Sequence, residues 1–326
     1  MKFSVVTTMF CSAPHLMEFY HRMARSVQAL SDDYEMVFVN DGSPDNSLNV
    51  ALDLQKLDPM IRVIDLSRNF GHHKAVMAGL SFTRGDYVFL IDCDLEEDPE
   101  NLGMFYETIT KEADCDVVYG VQPRRKGTVT SRITAALFYR VLNFLSNEDM
   151  DPQMVFSRLM SRRYVDSLLQ FKESELFLVG LWKITGYHQK PVTIPTHDKG
   201  VSSYTLGKKI ALAVNGVTSF SNKPLIFISY LGGLISFGSL VVILYLLLMK
   251  LWLNLVFPGW TSVMISVWLI GGLIIFCVGV IGIYIAKIFV EIKHRPYVIV
   301  RNEYKGLNPS ESTQESRNDL NWRSDL

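Results

Sequence analysis

The chain has 326 residues, 48% of them hydrophobic, and a formal net charge of -1 at pH 7. That length accommodates one large domain or two smaller ones, with enough apolar residues for a core and for membrane spans. The charge balance lacks the strong basic excess of proteins that wrap nucleic acid, so we expect no nucleic-acid partner. The 4 cysteines are scattered without CxxC spacing, which favours neither a disulfide framework nor a zinc site.

Short β-branched runs alternate with amphipathic stretches in the first part of the chain. The runs cover residues 3–7, 35–40, 62–66, 87–92 and 116–119. Such alternation is typical of βα units around a mostly parallel sheet flanked by helices, so we predict an α/β fold. Residues 124–223 carry more Lys and Arg, with helical patterns at 131–145 and 162–171. We interpret them as an extension of the same domain, which then covers residues 1–223.

Polar side chains follow three of these runs, at the points where strands are predicted to end. The segments are Asn40-Asp41-Gly42-Ser43, Ser67-Arg68-Asn69 and Asp92-Cys93-Asp94. In parallel α/β sheets, ligands bind beyond the carboxyl ends of the strands. We therefore expect the three segments to face one pocket.

Asp92 and Asp94 stand one residue apart directly after an apolar run, and Glu96 follows them. Carboxylates in this arrangement can share a divalent cation, and Mg²⁺ in proteins takes one or two carboxylates together with substrate phosphates and water. We therefore predict a metal site at Asp92, Asp94 and Glu96. An acidic turn that holds no ion is the alternative for this short motif taken alone.

The other two segments offer contacts for a nucleotide. Asp41 could accept a hydrogen bond from a base or a ribose, although an aspartate here can also cap the helix that follows. Arg68 and Lys74 could neutralise a diphosphate. His72 and His73 are adjacent rather than at ligand spacing, so we interpret them as turn residues and not as metal ligands.

Two long apolar segments, residues 225–249 and 262–286, contain no charged residue. Each exceeds the roughly 20 residues that cross a bilayer core of about 30 Å. We therefore predict a two-helix transmembrane hairpin within residues 224–287, with a pair of buried core helices as the alternative. Trp252 and Trp260 lie between the two segments and suit a membrane interface.

Basic residues flank the predicted hairpin on both sides. They are Lys208, Lys209 and Lys223 before it and Lys287, Lys293 and Arg295 after it. The positive-inside rule then predicts a multi-pass protein of the inner or plasma membrane, with the first domain and both termini in the cytoplasm. Residues 288–326 would form a cytoplasmic tail, whose end beyond Asn308 has the composition of a disordered segment.

Eight segments of the chain carry a resemblance to a known family. They are VNDGSPDNS, LSRNFGHHKAVMAGL, GDYVFLIDCDLEEDPE, VVYGVQPRRKG, LFYRVLNFLS, SRLMSRRYVDSLLQF, KGVSSYTLGKK and YIAKIFVEIKHRPYVIV. In this order they resemble the inverting nucleotide-sugar glycosyltransferases of family 2, which have the GT-A fold. The chain is most similar to the polyprenyl-phosphate group, which includes undecaprenyl-phosphate glucosyltransferases and dolichol-phosphate mannose synthase. The resemblance covers most of residues 1–301.

The resemblance implies a role for each matched residue. Asp41 would contact the nucleotide base, and Asp92, Asp94 and Glu96 would hold Mg²⁺ or Mn²⁺ on the diphosphate of the nucleotide sugar. The family commonly has Gln at the position of Glu96. The residues implied at the acceptor phosphate are Arg125, Arg132, Ser202 and Tyr204. Ordinary surface charge is the alternative for this set.

Three segments depart from the family pattern. Its Pro-x-Tyr-Asn-Glu after the first strand is replaced by Thr8-Met9-Phe10-Cys11-Ser12. Its arginine three residues before Gly200 is replaced by His197, with Lys199 as a substitute cation. Its acidic residue before Phe-Arg-Leu is missing from Val155-Phe156-Ser157-Arg158-Leu159, so the candidate general bases are Asp149 and Asp151.

The activity that the resemblance implies is transfer of a sugar, by default from UDP-glucose, to a membrane polyprenyl phosphate for cell-surface glycan modification. A phosphate monoester has a second pKa of about 6 and is ionised at neutral pH, so the acceptor needs no general base. The alternatives are a catalytically inactive membrane scaffold and a polysaccharide synthase. A homo-oligomer is left open.

Overall fold

A computed structural model of the chain describes residues 2–122, 153–174, 176–195, 197, 223–253 and 259–305. The chain divides into two compact units. The first comprises residues 1–136, 150–203 and 295–326, and the second comprises residues 137–149 and 204–294.

The first unit is built on a mixed sheet that has eight strands among the described residues. In chain order they are β1 (Phe3–Met9), β2 (Tyr34–Asn40), β3 (Ile61–Leu66), β4 (Tyr87–Leu90), β5 (Cys115–Val121), β6 (Met154–Ser161), β7 (His188–Thr193) and β8 (Val300–Tyr304). Their order across the sheet is β7-β5-β6-β4-β1-β2-β3-β8. The pairs β1·β2, β1·β4, β2·β3 and β5·β7 are parallel, whereas β6 and β8 run antiparallel to their neighbours. The predicted α/β fold with a mostly parallel sheet is confirmed.

Six helices are described around this sheet. They are α1 (Ala13–Gln28), α2 (Ser47–Leu57), α3 (His72–Ser81), α4 (Asn101–Lys111), α5 (Arg162–Leu168) and α6 (Leu178–Ile184). The longest, α1, has a proline in its first turn, where the ring costs no helical hydrogen bond. Its buried side chains Leu16, Phe19, Met23 and Val27 recur at helical spacing and face the sheet.

The main core lies on the face of the sheet that is covered by α1, α2 and α4. Phe38 on β2 meets Phe19 on α1 edge to face, and Phe89 on β4 meets Phe105 on α4 in the same way. Burial of each such ring stabilises the fold by about 1.5 to 3 kcal/mol. On the opposite face, α3 lies against β1 and β2 at Gly79, where a Cβ would come within 2.6 Å of the Val6 side chain. The missing side chain lets α3 pack closely against β1 and β2.

The strand β8 follows the apolar helices in the chain and yet belongs to the sheet of the first unit. It pairs antiparallel with β3, with Val63 opposite Tyr304 and Asp65 opposite Asn302. An ion pair between Arg62 and Glu303 joins the same two strands. The sequence pattern placed these residues in a tail, so this strand is a feature that the prediction missed.

The second unit contains the helices α7 (Lys223–Leu253) and α8 (Trp260–Ile292), and the predicted segments 225–249 and 262–286 fall within them. Among the residues that the structure describes, one stretch is long and apolar enough to cross a membrane. It is Leu269–Ile292, with 24 residues, a mean hydropathy of 2.6 and no buried residue. A shorter apolar stretch, Lys223–Ile235, lies in α7. The second crossing of the hairpin stays a prediction.

Candidate active site

The three polar segments follow β2, β3 and β4, and side-chain contacts with the backbone join the first segment to the stretch after β3. The parallel strands β1, β2, β3 and β4 end at one edge of the sheet, and α3 begins beside that edge. The His72 ring, in the first turn of α3, contacts both β1 and the segment after β4, because its Nδ1 lies 3.0 Å from Thr8 Oγ1 and its Nε2 lies 3.8 Å from Asp92 Oδ1. This edge is where an open α/β sheet binds its ligand.

Asp41 is buried at the end of β2, with 3% of its surface exposed. Its Oδ1 accepts a hydrogen bond from the Phe70 amide at 2.7 Å, and its Oδ2 accepts one from the Gly71 amide at 3.0 Å. Burial raises the pKa of Asp41, while these two bonds and nearby Arg68 oppose the rise. The carboxylate therefore organises the segment after β3, and its contact with a base stays a prediction.

Gly42 allows the turn after β2 and the segment after β3 to touch backbone to backbone. A Cβ at this position would lie 2.4 Å from the Asn69 nitrogen, and Gly42 has a positive φ of +60°. Both facts require glycine here. Beyond the contact, Arg68 is exposed and stacks on the Phe70 ring at 4.1 Å, and Lys74 lies in the first turn of α3. Both cations thus lie near a helix N-terminus, which itself favours anions.

The segment after β1, which departs from the family pattern, is held by the turn that precedes α2. The Cys11 amide donates to Ser43 Oγ at 2.8 Å, and the Ala13 amide donates to Asp45 at 3.1 Å. The hydroxyls of Ser43 and Ser47 both donate to Asp45 at 2.5 Å. Burial opposes ionisation of Asp45, but these hydrogen bonds outweigh it and lower the pKa to about 2. The ionised Asp45 carboxylate therefore helps to hold the segment after β1 against the turn that precedes α2.

The predicted metal ligands Asp92, Asp94 and Glu96 lie on one segment after β4, which ends at Leu90 rather than at the predicted residue 92. Asp94 Oδ1 accepts a hydrogen bond from the Glu96 amide at 3.1 Å, and Leu95 between them has a φ of 62°. Asp92 and Asp94 are half-buried, whereas Glu96 is exposed. Oxygen donors of this kind suit Mg²⁺ and Mn²⁺, so the donor chemistry fits such a cation.

Cys93 is excluded as a ligand at this segment. Its side chain is 2% exposed, and its Sγ donates to the Thr8 carbonyl at 3.1 Å. Burial raises the pKa of the thiol to about 11, so it stays protonated at neutral pH. The metal prediction therefore rests on the carboxylates alone.

His72 and His73 open α3 instead of forming a turn. Although the His72 side chain is 41% exposed, desolvation of its ring, with a smaller contribution from His73, lowers the pKa of His72 to about 4, while Asp94 opposes the shift. His72 is therefore a neutral imidazole at pH 7, and its ring packs on Phe156 at a centroid distance of 4.6 Å. His73 Nδ1 lies 3.2 Å from the Leu176 carbonyl.

Glu97 is a site residue that the sequence analysis missed. Its side chain is buried and accepts hydrogen bonds from the amides of Phe156 at 2.9 Å and Ser157 at 2.8 Å. Burial raises its pKa. These bonds join the acidic segment after β4 to the start of β6, where the family's acidic residue is missing. No local signal separates Glu97 from its acidic neighbours, because its partners lie about 60 residues away in the sequence.

His197, which replaces a family arginine, contacts the same acidic segment. Its amide donates to the Glu96 carbonyl at 2.8 Å, and its Nε2 lies 3.0 Å from Asp98 Oδ2. Arg22 binds Asp98 from the other side at 2.5 Å. Several other predicted site residues lie outside the described residues: Arg125, Arg132, Asp149, Asp151, Lys199, Ser202 and Tyr204. Their roles at the acceptor, or as a base, stay predictions.

A different set of ligand atoms lies at the opposite edge of the sheet. Within the described ranges, Glu112, Cys115 and His188 are the one group of three His, Cys or acidic residues whose ligand atoms lie within 4.8 Å of one another. Cys115 and His188 begin the parallel strands β5 and β7, far from the ends of β1 to β4. Lys190 binds the Glu112 carboxylate, so an ammonium already neutralises this cluster.

Comparisons with known proteins place this chain among sugar transferases. A Mycobacterium tuberculosis protein named as a glycosyltransferase is 45% identical over 93% of this chain and 89% of its own length. The uncharacterized glycosyltransferase YkcC of Bacillus subtilis is 34% identical over 93% of this chain and 94% of its own length. The bactoprenol glucosyl transferase of Shigella phage SfV is 30% identical over 93% of this chain and 99% of its own length.

Among solved structures, glucosyl-3-phosphoglycerate synthase from Mycobacterium tuberculosis, in complex with Mn²⁺, UDP and phosphoglyceric acid, aligns with a TM-score of 0.48 at 19% identity. The alignment covers 67% of this chain and 76% of that chain. So distant a likeness says nothing about function. The model of the glycosyl transferase family 2, by contrast, matches residues 4–169, half of the chain. The chain therefore belongs to the glycosyl transferase family 2.

Proposed function

We propose that this glycosyltransferase moves a sugar from a nucleoside-diphosphate sugar, by default UDP-glucose, to a membrane polyprenyl phosphate, with inversion at the anomeric carbon. The observation that carries the proposal is the end-to-end match to a bactoprenol glucosyl transferase, which includes the apolar C-terminal region. The product would serve cell-surface glycan modification.

The donor would lie at the sheet edge formed by the ends of β1 to β4. Asp41 would face the base, while Arg68 and Lys74 would neutralise the diphosphate. Asp92, Asp94 and Glu96 would hold Mg²⁺ or Mn²⁺ there, although within the described chain they do not form a compact three-ligand set. When bound, the divalent cation supplies positive charge to the diphosphate leaving group. Glu97 would keep the acidic segment in place through its two amide bonds.

The acceptor phosphate supplies its own nucleophile. One of its ionised oxygens would form a bond to the anomeric carbon while the bond from that carbon to the diphosphate oxygen breaks, releasing the nucleoside diphosphate. No proton has to move, because the monoester is ionised at neutral pH. Arg125, Arg132, Ser202 and Tyr204 would hold this phosphate, and Asp149 or Asp151 would act as a base only if a proton had to be removed. Catalysis would then depend on alignment and charge stabilisation.

The two-span hairpin is supported by the position of β8. Residues before α7 and after α8 share the first unit, where β8 pairs with β3, so both flanks must lie on one side of a bilayer. An even number of crossings satisfies that condition. If Leu269–Ile292 crosses the bilayer, α7 is the helix available for the return crossing. Basic flanks then favour the cytoplasm for both termini.

The test is sugar transfer by the purified full-length chain. Radiolabelled nucleotide sugars are offered one at a time with polyprenyl phosphate, and lipid-linked product is separated from free sugar. A single lipid-linked sugar is the expected product. A polymer would indicate a polysaccharide synthase, and a failure to transfer any of the sugars would favour an inactive membrane scaffold.

A further inference from the structure

The strand β8 follows the last apolar helix, and its Arg301 contacts the sheet edge formed by the ends of β1 to β4, where the donor would lie. We call this the donor edge. Arg301 Nη2 donates to the Ser67 carbonyl at 2.5 Å, and its Nη1 lies 3.6 Å from Asp65 Oδ2. One residue before β8, the Ile299 carbonyl accepts from the Ser67 amide at 2.9 Å. Both backbone polar groups of Ser67 are therefore held by the segment after α8.

Asp65 connects Arg301 to the turn after β2. Its carboxylate is 2% exposed, and its Oδ1 accepts a hydrogen bond from Asn40 Nδ2 at 2.8 Å. The Asn40 side-chain oxygen accepts in turn from the Ser43 amide at 3.2 Å. A buried carboxylate needs partners for its charge, and Arg301 is a cationic partner of Asp65. An ion pair with Asp65, followed by two hydrogen bonds, thus connects Arg301 to the Asn40–Ser43 turn.

These two contacts converge on the donor edge. Ser67 begins the segment that carries Arg68, and Asn40 precedes Asp41, whose carboxylate holds the amides of Phe70 and Gly71. A shift of either segment would move the other, because Gly42 and Asn69 touch backbone to backbone. Arg301 binds the segment after β3 directly, at Ser67, and reaches the turn after β2 through Asp65.

We propose that Arg301 is a positioning residue for the nucleotide-sugar donor, carried on the strand that returns from the apolar helices. The inference rests on the proposed function, since it assigns the donor to this edge. The contacts of Arg301 described above lead to the donor segments, so it sets donor affinity and leaves acceptor use unchanged.

Arg301 is separable from the pairing of β8 itself. The ladder from Val300 to Tyr304 and the ion pair between Arg62 and Glu303 hold the strand on β3. The Arg301 side chain is 55% exposed and lies outside the core. Its replacement should therefore loosen the donor segments without releasing the strand.

The experiment compares Arg301→Gln with the parent full-length chain. UDP binding is measured by calorimetry, and kcat and the KM values for donor and acceptor are measured separately. We expect the UDP Kd and the donor KM to rise about three- to tenfold, as for a partly exposed charged contact, with kcat and the acceptor KM unchanged. Arg301→Lys, which keeps the charge but loses the planar fork, should recover part of the loss.

Lys305→Gln is the matched control, because it removes one positive charge from the same segment, where Lys305 pairs with Glu303 at 3.6 Å. It should leave the donor KM unchanged. Equal effects in both variants, or parent values in Arg301→Gln, would overturn the inference alone. A drop in kcat and in melting temperature with no change in donor KM would do the same, since it would mark Arg301 as a fold contact. A parent chain that binds no UDP would overturn the proposed donor together with this inference.

Discussion

Asp94 is the carboxylate whose removal tests whether the acidic segment acts through a divalent cation. It lies half-buried after β4 and its Oδ1 orders the turn to Glu96. Asp94→Asn keeps the size and the hydrogen-bond acceptor but removes the charge that a divalent cation needs. We expect product formation to fall by about 100-fold or more, with an unchanged melting temperature. Chelator should reduce the parent enzyme to a similar level.

Asp53→Asn is the control for Asp94→Asn, because Asp53 pairs with Lys56 on an exposed face of α2. It should transfer sugar like the parent. Adding Mg²⁺ or Mn²⁺ after the chelator should restore product formation by the parent but not by Asp94→Asn. Undiminished transfer in excess chelator would show that the acidic segment does not work through a metal.

Arg125 tests the acceptor side of the same reaction. The resemblance to polyprenyl-phosphate transferases predicts that the run Arg124-Arg125-Lys126 lies at the acceptor phosphate, and an arginine fork can bind two phosphate oxygens at once. A charged contact of this kind contributes about 1.5 to 3 kcal/mol, so Arg125→Ala should weaken acceptor use by about 10- to 150-fold. Polyprenyl phosphate is titrated at saturating nucleotide sugar, and Arg125→Lys is compared. Loss of donor affinity with a normal response to lipid would move Arg125 to the donor site.

At the scale of elements, the contact between the turn after β2 and the segment after β3 depends on a single glycine. Gly42→Ala would place a Cβ against the backbone of Arg68 and Asn69, in a left-handed conformation that alanine disfavours. We expect destabilisation by about 2 to 4 kcal/mol and loss of UDP binding. Thermal unfolding and calorimetry of the purified chain measure both.

Gly103→Ala is the matched control for Gly42→Ala. Gly103 lies within α4, where an added Cβ meets nothing within 4 Å. Alanine favours a helix over glycine by roughly 1 kcal/mol, so this variant should be as stable as the parent or slightly more stable. If Gly42→Ala has the same melting temperature and UDP affinity as Gly103→Ala, the two donor segments do not depend on their close contact.

Five of the six interior strands correspond to runs predicted from the sequence, whereas the interior strand β6 and the two edge strands, β7 and β8, were missed. Runs predicted at 3–7, 35–40 and 62–66 correspond to Phe3–Met9, Tyr34–Asn40 and Ile61–Leu66, because strands buried on both faces are continuous apolar runs. By contrast, β7 reads HQKPVT and β8 reads VRNEY, with many exposed side chains. A polar edge strand has no pattern of its own, and its place depends on a partner far away in the sequence.

The site divides in the same way. The polar strand ends around Asp41 and Asp92 could be found in the sequence, since they interrupt apolar runs. The residues that hold them could not, because Glu97 and Arg301 act through hydrogen bonds that span 60 and 234 residues. Their charges look like those of any polar surface segment until the sheet brings the partners together. The residues that were predicted are recognisable from their local sequence, whereas those that were missed depend on long-range contacts.

At the scale of the whole molecule, the pairing of β8 with β3 constrains the membrane topology. The two strands share one unit, so a chain whose apolar helices cross a bilayer would have to return to the side that it left. We expect a green fluorescent protein fused after Leu326 to fluoresce in the cytoplasm. A reporter that is active only outside the cytoplasm, fused between α7 and α8, should be active. The positive-inside rule retains the basic flanks in the cytoplasm and exports residues 250–261 between the two apolar segments, where Lys250 is the single charge.

The control for this topology is a variant that removes positive charge after the second apolar segment and changes no residue of the sheet. Lys287→Gln combined with Lys293→Gln removes two of the three basic residues immediately after the second apolar segment, where orienting charges act most strongly. This variant should place more of the Leu326 fusion outside the cytoplasm, and such molecules cannot pair β8 with β3. Transfer to polyprenyl phosphate should then fall in proportion to the misplaced fraction. A parent fusion at Leu326 that reports from outside the cytoplasm would contradict the hairpin, because β3 and β8 would lie on opposite sides of the bilayer.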